Sequence, residues 1–302
     1  MKGKPMKQRL LMLLFLSVTA LSLFAQQPAA TEWKPVDDAM GRAGQDQPDG
    51  AHKFAMPRSD LNVTVDGVHL KAGFALGSWA AFRKMGNEAE VMGDLVLVED
   101  EVGPVMQKLI SSGIQITALH NHLLHASPQV MYMHIDGRGE AVKLATALHD
   151  ALGETKTPAP APQSVAATAD IGFDSKQVDA ALGHAGKNNN GVYQVAVPRS
   201  EAIKEDGMPI SNSMGLATAI NFQPTGDGKA AITGDFVLTG REVNPVIRAL
   251  RAGGISVTAI HSHMLDEQPR LFFMHFWAND DAIKLAKALR VALDQTNAAK
   301  AK

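Results

Sequence analysis

Apolar residues recur along this chain in two rhythms, and the same succession of rhythms occurs twice. Val102, Val105, Met106, Leu109 and Ile110 follow each other at three- and four-residue spacing, which predicts an amphipathic helix that Gly113 stops. A twin helix is expected over residues 243–251, ending at Gly253-Gly254. Pro104 and Pro245 are expected in the first turn of these helices, where a missing N–H does no harm. Short apolar runs at 95–98 and 236–238 read as strands, each following a Gly-Asp pair. Beyond each helix, residues 114–122 and 129–135, and again 255–263 and 270–276, predict two strands joined by a loop. Ala- and Leu-rich stripes over 140–152 and 281–293 predict a closing helix, while 73–82 and 91–98 read as a hairpin turning at 84–87. Helices segregated beside antiparallel strands predict an α+β fold. It consists of two tandem homologous repeats, each an antiparallel sheet with helices on one face in a ferredoxin-like variant.

The repetition is literal. Residues 93–152 and 234–293 align without a gap at an offset of 141, with 27 identities in 60 positions, and Pro57-Arg58-Ser59 matches Pro198-Arg199-Ser200. The repeats are placed at 36–152 and 174–293, and the Pro- and Ala-rich stretch 153–173 reads as a linker. Residues 26–35 and 297–302 read as solvated ends.

Composition narrows the chemistry. The 302 residues are 45% hydrophobic and 20% charged, as expected of a folded chain. There is no cysteine, which excludes disulfides, thiolate metal sites, iron–sulfur clusters and a Cys nucleophile. A net charge of −2 gives no electrostatic basis for binding nucleic acid. At the N-terminus, Lys2, Lys4, Lys7 and Arg9 precede the apolar run 10–16, which fades into small residues up to Ala25. A basic head, a short apolar stretch and a small-residue end predict a signal peptide over 1–25. The expectation is an exported, periplasmic or secreted protein with no membrane span in the mature chain.

The histidines carry the candidate chemistry. His120, His122 and His134 have counterparts in His261, His263 and His275, whereas the other five of the eleven have none. Residues i and i+2 of a strand share a face, so His120 and His122 project together. A hairpin centred near Ser127 sets His134 opposite His120, close enough for three imidazoles to reach one ion. The expectation is therefore one three-histidine site per repeat for a divalent transition metal, zinc or copper foremost. Asp94 and Asp235, Glu101 and Glu242, or water are candidate fourth ligands, and Glu101 or Glu242 is the candidate general base if a metal-bound water does hydrolysis. Ile116, Ala118, Val130 and Tyr132, with Val257, Ala259, Leu271 and Phe273 in the second copy, are expected as an apolar floor on the histidine face. Met133 and Met274 point to the opposite face, through which the repeats are expected to pack as a pseudo-twofold pair.

Two alternatives stand beside the metal reading. In one, the histidines with Arg58 and Arg199 hold an anionic cell-envelope ligand without metal. In the other, the chain is an interaction protein and its histidine cluster is structural. The segments T-A-L-H-N-H-L-L…P…M-H at Thr117–His134 and T-A-I-H-S-H-M-L…P…M-H at Thr258–His275 resemble the LppY/LpqO family of exported bacterial proteins. The resemblance implies an envelope or periplasmic protein of tandem repeats and leaves its activity open. Lipoprotein members carry a lipobox Cys. This chain lacks one, a departure from that pattern that favours a soluble form over a lipid-anchored one.

Overall fold

The computed structural model describes residues 32–160, 169–205 and 207–300. The expected signal peptide and residues 161–168 of the expected linker lie outside the described residues. The described residues from Trp33 to Lys300 belong to one compact unit. The first repeat runs α1 (Lys34–Met40), β1 (Gln45–Asp46), β2 (His52–Pro57), β3 (Thr64–Val65), β4 (Val68–His69), α2 (Ala72–Ala75), β5 (Gly77–Met85), β6 (Glu88–Val98), α3 (Glu99–Ser111), β7 (Gln115–His120), β8 (Val130–Gly139) and α4 (Ala141–Leu152). The second runs α5 (Ser175–Leu182), β9 (Lys187–Asn189), β10 (Val192–Pro198), β11 (Lys204–Glu205), β12 (Met208–Pro209), a 3-10 turn (Asn212–Met214), β13 (Ala217–Gly226), β14 (Lys229–Thr239), α6 (Gly240–Ala252), β15 (Ser256–His261), β16 (Leu271–Asp281) and α7 (Ala282–Leu293).

Each repeat builds a six-stranded sheet, ordered β1-β2-β5-β6-β8-β7 and β15-β16-β14-β13-β10-β9, with every pairing antiparallel. Helix α3 carries the chain from β6 past β8 to the edge strand β7, the split crossover expected of a ferredoxin-like variant. The strict alternation of β6 explains the layering. Val91, Leu95 and Leu97 face the helices with Val105, Leu109, Leu144 and Leu148, while Met92, Asp94 and Val96 face the other way.

That other face meets the second repeat. Ala81 and Met92 of the first sheet share a cluster with Val237 and Phe273 of the second, and Val96 and Tyr132 share another with Ala231 and Trp277. The molecule is thus helices, sheet, sheet, helices. The repeats do not meet through the Met133 and Met274 face expected from the sequence: those methionines lie under their own helices. A β-bulge between Ile116 and Ala118, repeated between Val257 and Ala259, has a related effect. The extra residue reverses the facing of the strand, so Ile116 and Val257 join the helix-side cores rather than the histidine face.

Two arms lock the repeats together. The segment holding β3, β4 and α2 reaches the second sheet, where Gln223 accepts from the Lys71 N–H (2.8 Å) and donates to the His69 carbonyl (2.7 Å). On the opposite arm, the Ser213 N–H donates to Asp49 (2.8 Å), and the Lys53 ammonium donates to the Ser213 carbonyl (2.9 Å).

Other expectations shift locally. Helix α3 starts at Glu99, three residues early, because acidic Glu99, Asp100 and Glu101 favour its N-terminus and Glu101 accepts the Val98 N–H (3.0 Å). Pro104 therefore sits in the second turn. Residues 72–75 form a helical turn, and the strand of the hairpin begins at Gly77. The ends are not solvated throughout: Trp33 is buried in the first core, and Asn297–Ala299 pair with Pro198–Ser200.

Candidate metal centre

Strand pairing places the site. Asp94 on β6 lies across from His134 on β8, and Asp235 on β14 lies across from His275 on β16, so each carboxylate shares a face with its histidine. The register of β7 differs by two residues from the sequence reading: His134 is opposite Ala118, and His120 is opposite Tyr132. A shift of two keeps the face, so all three histidines still project together. His122 and His263 lie just beyond the ends of β7 and β15.

The two triplets do not form separate pockets; they interleave. His120 stacks on His261 with ring centres 3.5 Å apart, His122 on His275 at 3.6 Å, and His134 on His263 at 3.7 Å. The last two stacks are equivalent under exchange of the repeats, and the first maps onto itself, so the pseudo-twofold axis passes between His120 and His261. Tyr132 covers His122 at 3.3 Å and Phe273 covers His263 at 3.4 Å, giving each ring an aromatic backing. The Tyr132 hydroxyl is occupied, donating to the Ala75 carbonyl (2.7 Å).

Asp94 lies 3.8 Å from the His122 Nε2 and 3.9 Å from the His134 Nε2, and Asp235 lies 3.2 and 3.9 Å from the Nε2 atoms of His263 and His275. The Nδ1–H of His275 donates to the Gly234 carbonyl (2.8 Å), and His134 makes the matching bond to Gly93. This fixes the tautomer and leaves each Nε2 with a free lone pair, the arrangement in which a histidine ligand is oriented by a backbone carbonyl. A Cβ on Gly234 would come within 1.9 Å of the Ala219 carbonyl, and one on Gly93 within 2.7 Å of the Trp79 carbonyl. Glycine at both positions thus lets the neighbouring strand close in.

Electrostatics keep the imidazoles neutral. Burial pulls His120 down to about 4 and holds His122, His134 and His263 well below the usual imidazole value, with neighbouring rings adding to the effect. Burial lowers His261 and His275 as well. It pushes Asp94 up to about 8, helped by Asp235 and opposed by Lys53, and Asp235 up to about 6. Among the described residues, buried atoms without a hydrogen-bond partner include the Nε2 of all six histidines, the Nδ1 of His120 and His261, and one oxygen of each aspartate. Unpaired buried polar atoms normally carry a cost of about 1–3 kcal/mol each, so ten facing one layer call for a common partner. Four sets of these residues bring donor atoms within 4.8 Å of one another, wider than the ~3.4 Å between two nitrogens on a tetrahedral ion, so a bound ion would draw the side chains inward.

The other sequence candidates lie elsewhere. Arg58 is fully buried and forks onto Glu101 at 2.7 and 3.0 Å, with Asp60 and the Val96 carbonyl taking its remaining donors. Arg199 pairs with Glu242 at 2.8 and 3.0 Å and with Glu201. Each glutamate also accepts backbone N–H groups, from Val98 and Lys156 in one repeat and Thr239 and Asn297 in the other. These pairings correct the reading of Glu101 and Glu242 as general base and of Arg58 and Arg199 as anion binders. Both partners are spent on each other and on the start of a helix. A pocket of about 280 Å³ beside Arg199 is lined by Glu201 as well, which sets a carboxylate against any anion there.

Lys53 and Trp79 also border the site, and no motif or repeat marks them in the sequence. The Lys53 ammonium lies over the Trp79 ring at 4.2 Å, and Trp79 pairs across from Asp94. Gln194 and Ala219 hold the matching places in the second sheet, so this feature is confined to one repeat and the duplication gave no signal for it.

No curated protein matches this chain. Among solved structures, it is similar to a trimeric bacterial microcompartment shell protein, PduB, at 11% identity and a TM-score of 0.23, covering 85% of this chain and 96% of that one. It is also similar to EtuB from Clostridium kluyveri, at 9% identity and a TM-score of 0.18, covering 83% and 90%. For the ethanolamine utilization protein EutL from Leptotrichia buccalis C-1013-b the values are 11% and 0.18, covering 84% and 95%. At such scores the likeness decides neither fold nor activity. A family model matches the chain twice, over residues 34–154 and 176–295, in step with the two sheets of the fold, and the chain belongs to that family, described as Domain of Unknown Function (DUF1259).

Proposed function

We propose that this is an exported metal-holding protein whose two repeats bind divalent transition metal, zinc or copper, in the histidine–aspartate layer between their sheets. The observation that carries the reading is the set of ten unpartnered nitrogen and oxygen atoms, from eight residues of two repeats, all turned into one buried layer. Neutral imidazoles with carboxylates are the donor set for such ions in a chain without cysteine. Carriage or sensing fits better than metal-assisted hydrolysis, because Glu101 and Glu242 are engaged elsewhere and the imidazoles are shielded by stacked rings. Export rests on the basic and apolar leader over 1–25 and on the resemblance to the LppY/LpqO proteins. No helix among the described residues is long and apolar enough to cross a membrane.

Elemental analysis of the full chain, purified without chelator, tests the reading. Zinc or copper is expected to co-purify or to be taken up on addition, and the His122→Ala, His263→Ala variant is expected to lose at least tenfold in metal content while keeping its circular dichroism spectrum. A wild-type protein that takes up neither metal, with a variant that is merely less stable, would return the cluster to a structural role.

A further inference from the structure

We infer that the layer holds two ions rather than one, each in a two-histidine, one-aspartate set drawn from a single repeat: Asp94, His122 and His134 for one, Asp235, His263 and His275 for the other. The inference rests on the metal reading above and goes beyond it in stoichiometry, ligand identity and chemical class of site.

Donor counting carries it. His134 and His275 each commit their Nδ1–H to a backbone carbonyl, so each offers one lone pair, on Nε2. A lone pair serves one ion. The two within-repeat sets share no residue, whereas the two sets that mix repeats (His120, His122, His261 and His275; His134, His261 and His263) both need His261. Only the within-repeat sets include a carboxyl group, which a divalent ion turns into an anionic oxygen donor by displacing its proton. The three donors of each set also fall inside the duplicated 60-residue block, at the same offset of 141.

His120 and His261 complete the picture. They stack on each other across the axis, with both ring nitrogens unpartnered. His120 lies 4.9 Å from His122 and 5.2 Å from His134, and His261 lies 4.9 Å from His263 and 5.0 Å from His275, ring centre to ring centre. Each therefore stands beside the histidines of its own repeat and next to its twin, and its ring nitrogens come within 4.8 Å of donors from both repeats, between the two sets rather than in either. Two histidines and one carboxylate with open positions define a class of site used by divalent iron as well as zinc.

The test is a stoichiometry measurement on the full chain. Protein stripped of metal is loaded with zinc, desalted and analysed, with circular dichroism as the check on folding. Wild type is expected to hold two equivalents, Asp94→Asn one, and Asp235→Asn one. These isosteric changes keep the volume and remove the anionic donor. A wild type that saturates at one equivalent would overturn the inference and leave the metal-holding function standing. So would both aspartate variants keeping two, because the ions would then lie among histidines of mixed origin. A wild type that binds neither zinc nor, loaded in parallel, copper overturns the function itself, and the three results are distinct.

Discussion

Glu101→Ala is expected to destabilise the protein by about 3–5 kcal/mol, a large part of the 5–15 kcal/mol typical of a folded domain, because it strands a buried charge. The Arg58 guanidinium is fully buried, and two of its hydrogen bonds, at 2.7 and 3.0 Å, end on the Glu101 carboxylate. The change also removes the acceptor for the Val98 N–H at the start of α3 and for the Lys156 N–H. Asp60 and the Val96 carbonyl remain as partners for Arg58, which holds the loss below that of a wholly isolated cation. Replacing both members, Arg58→Met with Glu101→Leu, is expected to recover part of the loss, since removing a buried pair together costs less than breaking it. Urea unfolding of the single and double variants checks this. Metal content per folded molecule should be unchanged, and a glutamate variant that unfolds normally but loses metal would move Glu101 into the centre.

Removing one of the two ions is expected to lower the melting temperature by about 10 °C, and removing both by roughly twice that, when the free metal stands near a thousand times the dissociation constant. That ratio contributes about 4 kcal/mol, and each kcal/mol shifts a domain of this size by roughly 2–4 °C. The stripped protein should also acquire a distinctive pH profile. Its six buried imidazoles have folded values below the usual ~6.5, so as pH falls through that value the unfolded chain takes up protons that the folded chain refuses. Their contribution is present above about 6.5 and is lost progressively toward the His120 value of about 4. Asp94, raised to about 8, and Asp235, raised to about 6, act with the opposite sign: the folded state holds protons that the unfolded chain releases above its ordinary carboxylate value of ~3.9, so this smaller contribution is lost progressively between about pH 4 and 8. The metal-free protein is therefore expected to be most stable between about pH 6.5 and 8, by thermal melts across pH. Loaded protein should lose its excess stability on acidification as protons displace the ion. A metal-free profile flat from pH 4 to 8 would contradict the neutral, buried state of the imidazoles.

The duplication, the helix and strand content and the shared face of the three histidines were legible because each rests on local periodicity or on an offset of 141 between identical residues. What decides the site is not local. The bulge at 116–118 leaves no mark in an alternating pattern, yet it turns Ile116 to the helices and keeps Ala118 beside His134. Over residues 130–135 both faces of β8 are apolar apart from His134, so hydropathy alone did not tell which face the helices cover and which meets the other repeat. That choice turned two expected sites into one shared layer. Arg58 and Glu101 lie 43 residues apart and read as ordinary charged positions until β2 and α3 bring them together. Asp94 was legible as a candidate ligand from the repeated Gly-Asp pair, and its place opposite His134 came with the sheet register.

Anomalous X-ray scattering from crystals of the full chain grown with zinc would test the shared centre most directly. Two peaks are expected between the sheets, one beside Asp94, His122 and His134 and one beside Asp235, His263 and His275. Crystals grown with zinc and, in parallel, with copper that show the six rings stacked as described, with no anomalous peak among them at either metal's edge, would contradict the account.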